Sequence, residues 1–224
     1  MYKKITHNIS EEHFAHPLAQ QIKAIVDGGA MTPMAINFAA ETKLRSDARH
    51  LWTNFLWRVR GSIVSAMDNL PDAAALETQL IKDISAIGAL LVPYYGAQPV
   101  AQFEQLLTPF ALNIVDIAKA TKAGRDTKDL VTKNATLINN LATFLGMANP
   151  KFWPATAVTT IFNKLSDAWL AQIAARSKKD WTADIAAMDH AHNALLAAST
   201  TLPSGFSEVF ANGVIQQFPE KFKS

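Results

Sequence analysis

Residues 51–72 read LWTNFLWRVRGSIVSAMDNLPD. Trp52, Phe55, Leu56, Val59, Ile63 and Met67 recur at steps of three and four, which places them on one face of an α-helix, while Asn54, Arg58, Ser62 and Ser65 fall off that stripe. Leu70-Pro71-Asp72 closes the pattern, and Pro71 suits the first turn of a following helix, where its missing N–H costs nothing. The same grammar repeats downstream. Leu76, Leu80, Ile84, Ile87 and Leu91 form a second stripe, ended by Pro93-Tyr94-Tyr95-Gly96. Phe103, Leu107, Phe110, Ile114 and Ile117 form a third, followed by Lys119, Lys122 and Gly124 as C-terminal signals. Pro109 lies inside this run, and the clash of its ring with the carbonyl of Gln105 predicts a kink or break near Leu107.

Asp126 is a candidate N-cap for a helix with Leu130, Asn134, Leu137, Leu141 and Phe144 on one face, ending at Ala148-Asn149-Pro150. Pro154 opens a helix bearing Val158, Ile161, Leu165, Trp169 and Ile173. Asp180 caps one bearing Trp181, Ile185, Met188, His192 and Leu195, and Pro203 begins the last. No segment shows the period-two alternation of a strand. The expected fold is therefore all-α, an antiparallel up-down bundle of about six to eight helices whose short links make sequential helices neighbours. Working back towards the start, residues 1–50 are less regular: a helix from about Ser10 to Val26, a break at Gly28-Gly29, and a second helical stretch from Thr32 towards His50. They read as an N-terminal helical arm or hairpin, with residues 51–224 as the bundle and one domain overall.

Composition narrows the function classes. A formal net charge of +2, from 21 Lys and Arg against 19 Asp and Glu, gives no long-range field to gather nucleic acid or anionic lipid, so neither partner is expected. The absence of cysteine removes disulfides, thiolate zinc sites, iron–sulfur ligation and cysteine nucleophiles together. The most apolar stretches, residues 84–92 and 106–118, fall short of the roughly 20 residues that span a bilayer. Charges and histidines interrupt residues 1–13 before an apolar signal region can start, so a cytoplasmic protein is the default expectation.

Candidates for chemistry are few. His13 and His16 stand three apart near His7, Glu11 and Glu12, a spacing at which imidazole and carboxylate can share a metal ion on a helix. A second group is Asp184, Asp189, His190 and His192: His192 falls on the apolar stripe, and Asp189, one turn earlier, is placed to orient its imidazole. The commoner outcome is a core histidine bonded to one acceptor. Arg60 flanks the first stripe, where its guanidinium can reach Asp68, a carboxylate on a facing helix or a bound anion, with the structural ion pair as the favoured reading. Asn134 on an apolar stripe is suited to fixing register between helices. No glycine-rich phosphate loop, nucleophile elbow, zincin motif or paired Glu-x-x-His occurs, so no cofactor is expected.

Pro93-Tyr94-Tyr95-Gly96, Ala148-Asn149-Pro150, Asp180-Trp181, Asp184-Ile185 and the segment Gly213-Val214-Ile215-Gln216-Gln217-Phe218-Pro219-Glu220-Lys221-Phe222 occur in one consistent order. Together these motifs resemble an uncharacterised family of small all-helical bacterial proteins, over about residue 51 to the end. The resemblance implies a helical bundle and brings no established activity. Similar proteins carry histidine where this chain has Phe55 and Phe110, which implies an apolar core here in place of a polar or metal site.

Three functional readings follow. The first is a non-enzymatic helical bundle that binds a partner or a small apolar molecule between its helices. The second is a metal-binding protein or metal-dependent enzyme centred on His192, Asp189 and Arg60. The third is a structural homo-oligomer joined through the N-terminal arm.

Overall fold

The computed structural model describes residues 34–196 and 205–222. Seven α-helices and no strand occur among them. They are α1 Met34–Asp68, α2 Ala73–Tyr95, α3 Ala97–Lys122, α4 Lys128–Ala148, α5 Ala155–Ser177, α6 Trp181–Leu196 and α7 Phe206–Gln217, followed by a 3₁₀ turn at Pro219–Phe222. The chain divides into a main compact unit, Leu44–Phe218, and a smaller one whose described residues are 34–43 and 219–222. The expected helix at 10–26, the break at Gly28-Gly29 and Pro203 lie outside the described residues. Within α1 the backbone is helical without interruption through His50.

Pairwise contacts fix the directions of the helices. Arg58 meets Asp83 and Ser65 meets Asp72, so residue numbers on α2 fall as those on α1 rise. Lys119–Glu77 and Ser85–Glu104 do the same for α2 and α3. Asn134–Ser166 and the approach of Gly146 to Ala155 make α4 and α5 antiparallel, and Gln172–Met188 with Arg176–Asp184 make α5 and α6 so. In each of these pairs the helices therefore run antiparallel. Alternate helices run parallel: Phe55 on α1 packs on Trp169, and Asp68 meets Arg176, both on α5. Short turns leave few other solutions, since a chain reversed within a few residues must return along the helix it has just left.

The stripes read from the sequence form the core. Trp52, Phe55, Leu56, Val59 and Ile63 are fully buried, as are Leu80, Ile84 and Ile87, then Leu107, Phe110 and Ile114. Most of the ring contacts are edge-on. Trp52 packs against Phe55, Phe206 and Phe210, and Phe110 lies against Phe162 and Trp169. Such contacts add about 0.5–1.5 kcal/mol per pair beyond the area they bury.

The structure differs from the sequence reading at two helices. Of the kink or break expected at Pro109, the break does not occur: α3 is continuous from Ala97 to Lys122. Leu107, Phe110, Ala111 and Ile114 around it are all buried, and that packing outweighs the single backbone hydrogen bond a proline forfeits. The stripe expected on α6 is the other difference. Trp181 and Ile185 are 51% and 58% exposed, while Asp184, Ala187, Met188, Ala191 and Leu195 face inward. Small alanines let α6 lie close on α5, and a buried carboxylate at 184 replaces the large side chains that the spacing alone would have turned inward.

Helix α7 closes one end. Phe206, Phe210 and Val214 are fully buried, and the Phe210 ring stacks on Trp153 at 5.3 Å. Gly213 is required there, because a Cβ at this position would overlap the Trp153 indole. Two outcomes check this packing. Phe110→Ala should cost about 3–5 kcal/mol in a urea melt. Gly213→Ala should cost about 1–3 kcal/mol.

Candidate functional site

Two carboxylates are buried among the described residues: Asp83, paired with Arg58, and Asp184, which two arginines share. Asp184, in the first turn of α6, is 2% exposed and receives both terminal nitrogens of Arg60 from α1, with the longer contact at 2.6 Å. Arg176, from the last turn of α5, donates to the same carboxylate at 2.8 Å and to Asp68 at the end of α1. Arg60 also donates to the fully buried Gln172 at 2.9 Å, and Gln172 reaches the Met188 sulfur. Two guanidiniums and two carboxylates thus balance, tying three helices together.

The local fold supplies each member. Asp180 accepts from the Ala183 N–H at 3.0 Å, so the predicted cap starts α6 one turn before Asp184. An anion in the first turn is favoured by the unsatisfied N–H groups there. Trp181 lies under the Arg176 guanidinium at 5.3 Å from the ring centre. Burial raises the Asp184 pKa, but hydrogen bonds and charge from Arg60 and then Arg176 outweigh it and hold the carboxyl below the usual carboxylate range. It accepts three charge-assisted hydrogen bonds, which suits a structural anchor.

Of the residues singled out by sequence, the structure joins Arg60 to Asp184 and separates the others. Asp189 is exposed and His192 half-buried, and no hydrogen bond or ion pair links them among the described residues. Asn134 sits in a different layer: it donates to Ser166 at 2.6 Å and lies 3.5 Å from the Asn113 amide, which donates to the Leu130 carbonyl at 2.9 Å. This buried trio links α3, α4 and α5. His13 and His16 lie outside the described residues, among which no group of three or more histidines and carboxylates is disposed to hold a metal ion.

Sequence reasoning missed Arg176, Gln172, Asn113 and Ser166. Arg176 reads as an ordinary basic residue in a last turn, and the other three sit beside apolar residues with nothing to mark them as buried. Phe55 and Phe110 face the same ring, Trp169, at 6.0 and 5.8 Å, with the Trp169 N–H buried and unpaired.

The sequence motifs also converge. Tyr95 donates to Gln217 at 2.6 Å and its ring meets Phe218 at 5.0 Å; Gln217 donates to the Ala148 carbonyl, and Asn149 to that of Gly213 at 2.9 Å. Burial pushes the Tyr95 phenol well above its ordinary pKa, against a hydrogen bond with Asn149 that lowers it. Pro-Tyr-Tyr-Gly, Ala-Asn-Pro and Gln-Phe therefore form a latch that fastens α7 across the bundle end. The cavity beside it, lined by Leu91, Tyr95, Val100, Phe103, Leu145 and Trp153, measures about 20 Å³, too small for an organic ligand. A wider hollow of about 410 Å³ at the α3–α4 turn is open and edged by Asp116, Asp126, Lys119 and Arg125, whose charges offset.

No family model matches the chain, and neither does any curated protein or solved structure.

Surface accessibility singles out a second feature. Trp57, Trp181 and Ile185 are each more than half exposed. Arg60–Asp184 and Arg49–Leu196 make α1 and α6 antiparallel neighbours. Trp57 precedes Arg60 by three residues and Trp181 precedes Asp184 by three, a rotation of about 60° in each helix. Equal rotations from facing residues of antiparallel helices lead to the same side of the pair. Ile185 is turned further the same way, so the three side chains form one exposed apolar face.

Asp184→Asn should lower stability by about 3–5 kcal/mol at pH 7, because Arg60 and Arg176 lose their common anion. The folded state keeps Asp184 ionised to lower pH than the unfolded chain does. Its contribution is thus complete above the unfolded value near pH 4 and fades as pH falls through the folded one. Urea melts at pH 7 and near pH 2–3 should show the wild-type advantage shrinking in acid.

Proposed function

We propose that the chain is a non-enzymatic interaction module whose binding surface is the face formed by Trp57 on α1 and by Trp181 and Ile185 on α6. The observation that carries this reading is the outward placement of two tryptophans and an isoleucine on one side of an antiparallel helix pair. Exposed halves of such residues amount to roughly 300–400 Å² of apolar surface, a patch size that on a soluble protein commonly marks a contact site. Tryptophan is also the residue most enriched among those that dominate binding energy.

Other features support a surface over an internal site. Rings fill the core around Trp169, and the apolar hollow beside Trp153 has room for little more than a water molecule. The buried charges bind one another. Their rigidity fits a scaffold that presents a preformed face, which reduces the ordering cost of association.

Site-specific photo-crosslinking tests this reading. A photoreactive side chain at position 185, in the producing cell, should give a discrete covalent adduct with protein, and the same group at exposed Lys133 on α4 should not. Absence of any protein adduct at 185, or a small molecule retained at one per chain in native mass spectrometry, would overturn it.

A further inference from the structure

Resting on that reading, we infer that the occupant of the α1–α6 face is a second copy of this chain, with α6 packed antiparallel on α6 of the copy. Charge placement is the argument. Trp181, Ile185 and Asp189 follow one another at steps of four and lie on one stripe of α6, all exposed. Beyond the Trp181 end stand the exposed Lys178 and Lys179; at the other end stands Asp189. A two-fold axis crossing α6 near residues 184 and 185 places Ile185 beside Ile185 of the copy. It also brings Lys179 of each chain opposite Asp189 of the other. Apolar centre meets apolar centre, and the basic end of each stripe meets the acidic end of its mate.

The same rotation suits α1. Arg60 marks the level of Asp184 on the neighbouring helix. Trp57 and the half-buried Val64 lie three residues below and four above it, so Trp57 of one copy is laid opposite Val64 of the other. Two copies of the face bring together roughly 600–800 Å² at the centre, about half of a standard interface, with the lysine and carboxylate ends forming its rim. The guanidiniums nearest the face are already paired, Arg60 and Arg176 with Asp184 and Asp68, so closing the contact strands none of them. A formal charge of only +2 sets little repulsion between copies.

Sedimentation equilibrium of the full chain, with circular dichroism to confirm folding, provides the test. The wild type should sediment as a dimer. Ile185→Asp should weaken association by about 30-fold or more, as for loss of a central contact. Asp189→Lys alone should weaken it, and Asp189→Lys combined with Lys179→Asp should restore it, since the exchanged charges face each other again. A monomer at every concentration, a dimer indifferent to Ile185→Asp, or a charge exchange without recovery each overturns the inference. A monomeric wild type whose position-185 adduct contains a different protein would leave the interaction surface standing and remove the second copy as its occupant.

Discussion

One carboxylate governs the arrangement of this molecule. Asp184 is gripped by Arg60 from α1 and Arg176 from α5, and its burial is tolerable only because both guanidiniums reach it. That requirement sets the rotation of α6 about its own axis. With Asp184 turned inward, Ala187 and Ala191 meet the neighbouring helices and Trp181 and Ile185 are left on the outside. A surface feature thus has its origin partly in a buried ion pair.

Polar contacts give the bundle its register in separate layers, while the rings give it cohesion. Asp184 joins α6 to α1 and α5, and Asn134 joins α4 to Asn113 on α3 and Ser166 on α5. Apolar stripes alone tolerate sliding by a turn, because leucines and phenylalanines one turn apart are nearly equivalent. A buried amide or carboxylate is not, since a one-turn slip separates it from its donor and leaves both groups unsatisfied.

Much of this was legible in the sequence, for reasons that differ by element. The stripes of α1, α2 and α3 are written in large apolar residues at regular steps, and those residues are buried except Leu76, which is half-buried. Asp180 could be read as a cap because its role is local. Helix α6 was half legible: Met188 and Leu195 of its expected stripe are buried, whereas Trp181 and Ile185 are exposed and their places on the inner face go to Asp184, Ala187 and Ala191, which periodicity ranks low. At Pro109 packing around the ring holds the helix continuous where a local rule allowed a break. Arg60 and Asp184 could each be noticed, but their union depends on the crossing of helices distant in the chain, and Arg176 carried no mark at all. The face containing Trp57 was invisible for the same reason, since it exists only once α1 and α6 lie side by side.

The latch at Tyr95, Asn149 and Gln217 bears on the order in which the molecule is made. Synthesis delivers α1 to α6 before α7, and at that moment Trp52, Phe103 and Trp153 at the bundle end have no Phe206 or Phe210 to cover them. A nascent chain therefore carries an unfinished aromatic end until its late helix leaves the ribosome, an interval in which such surface invites misassembly or a chaperone. Completion then comes through contacts of long sequence separation, from residue 52 to residue 210, which close slowly.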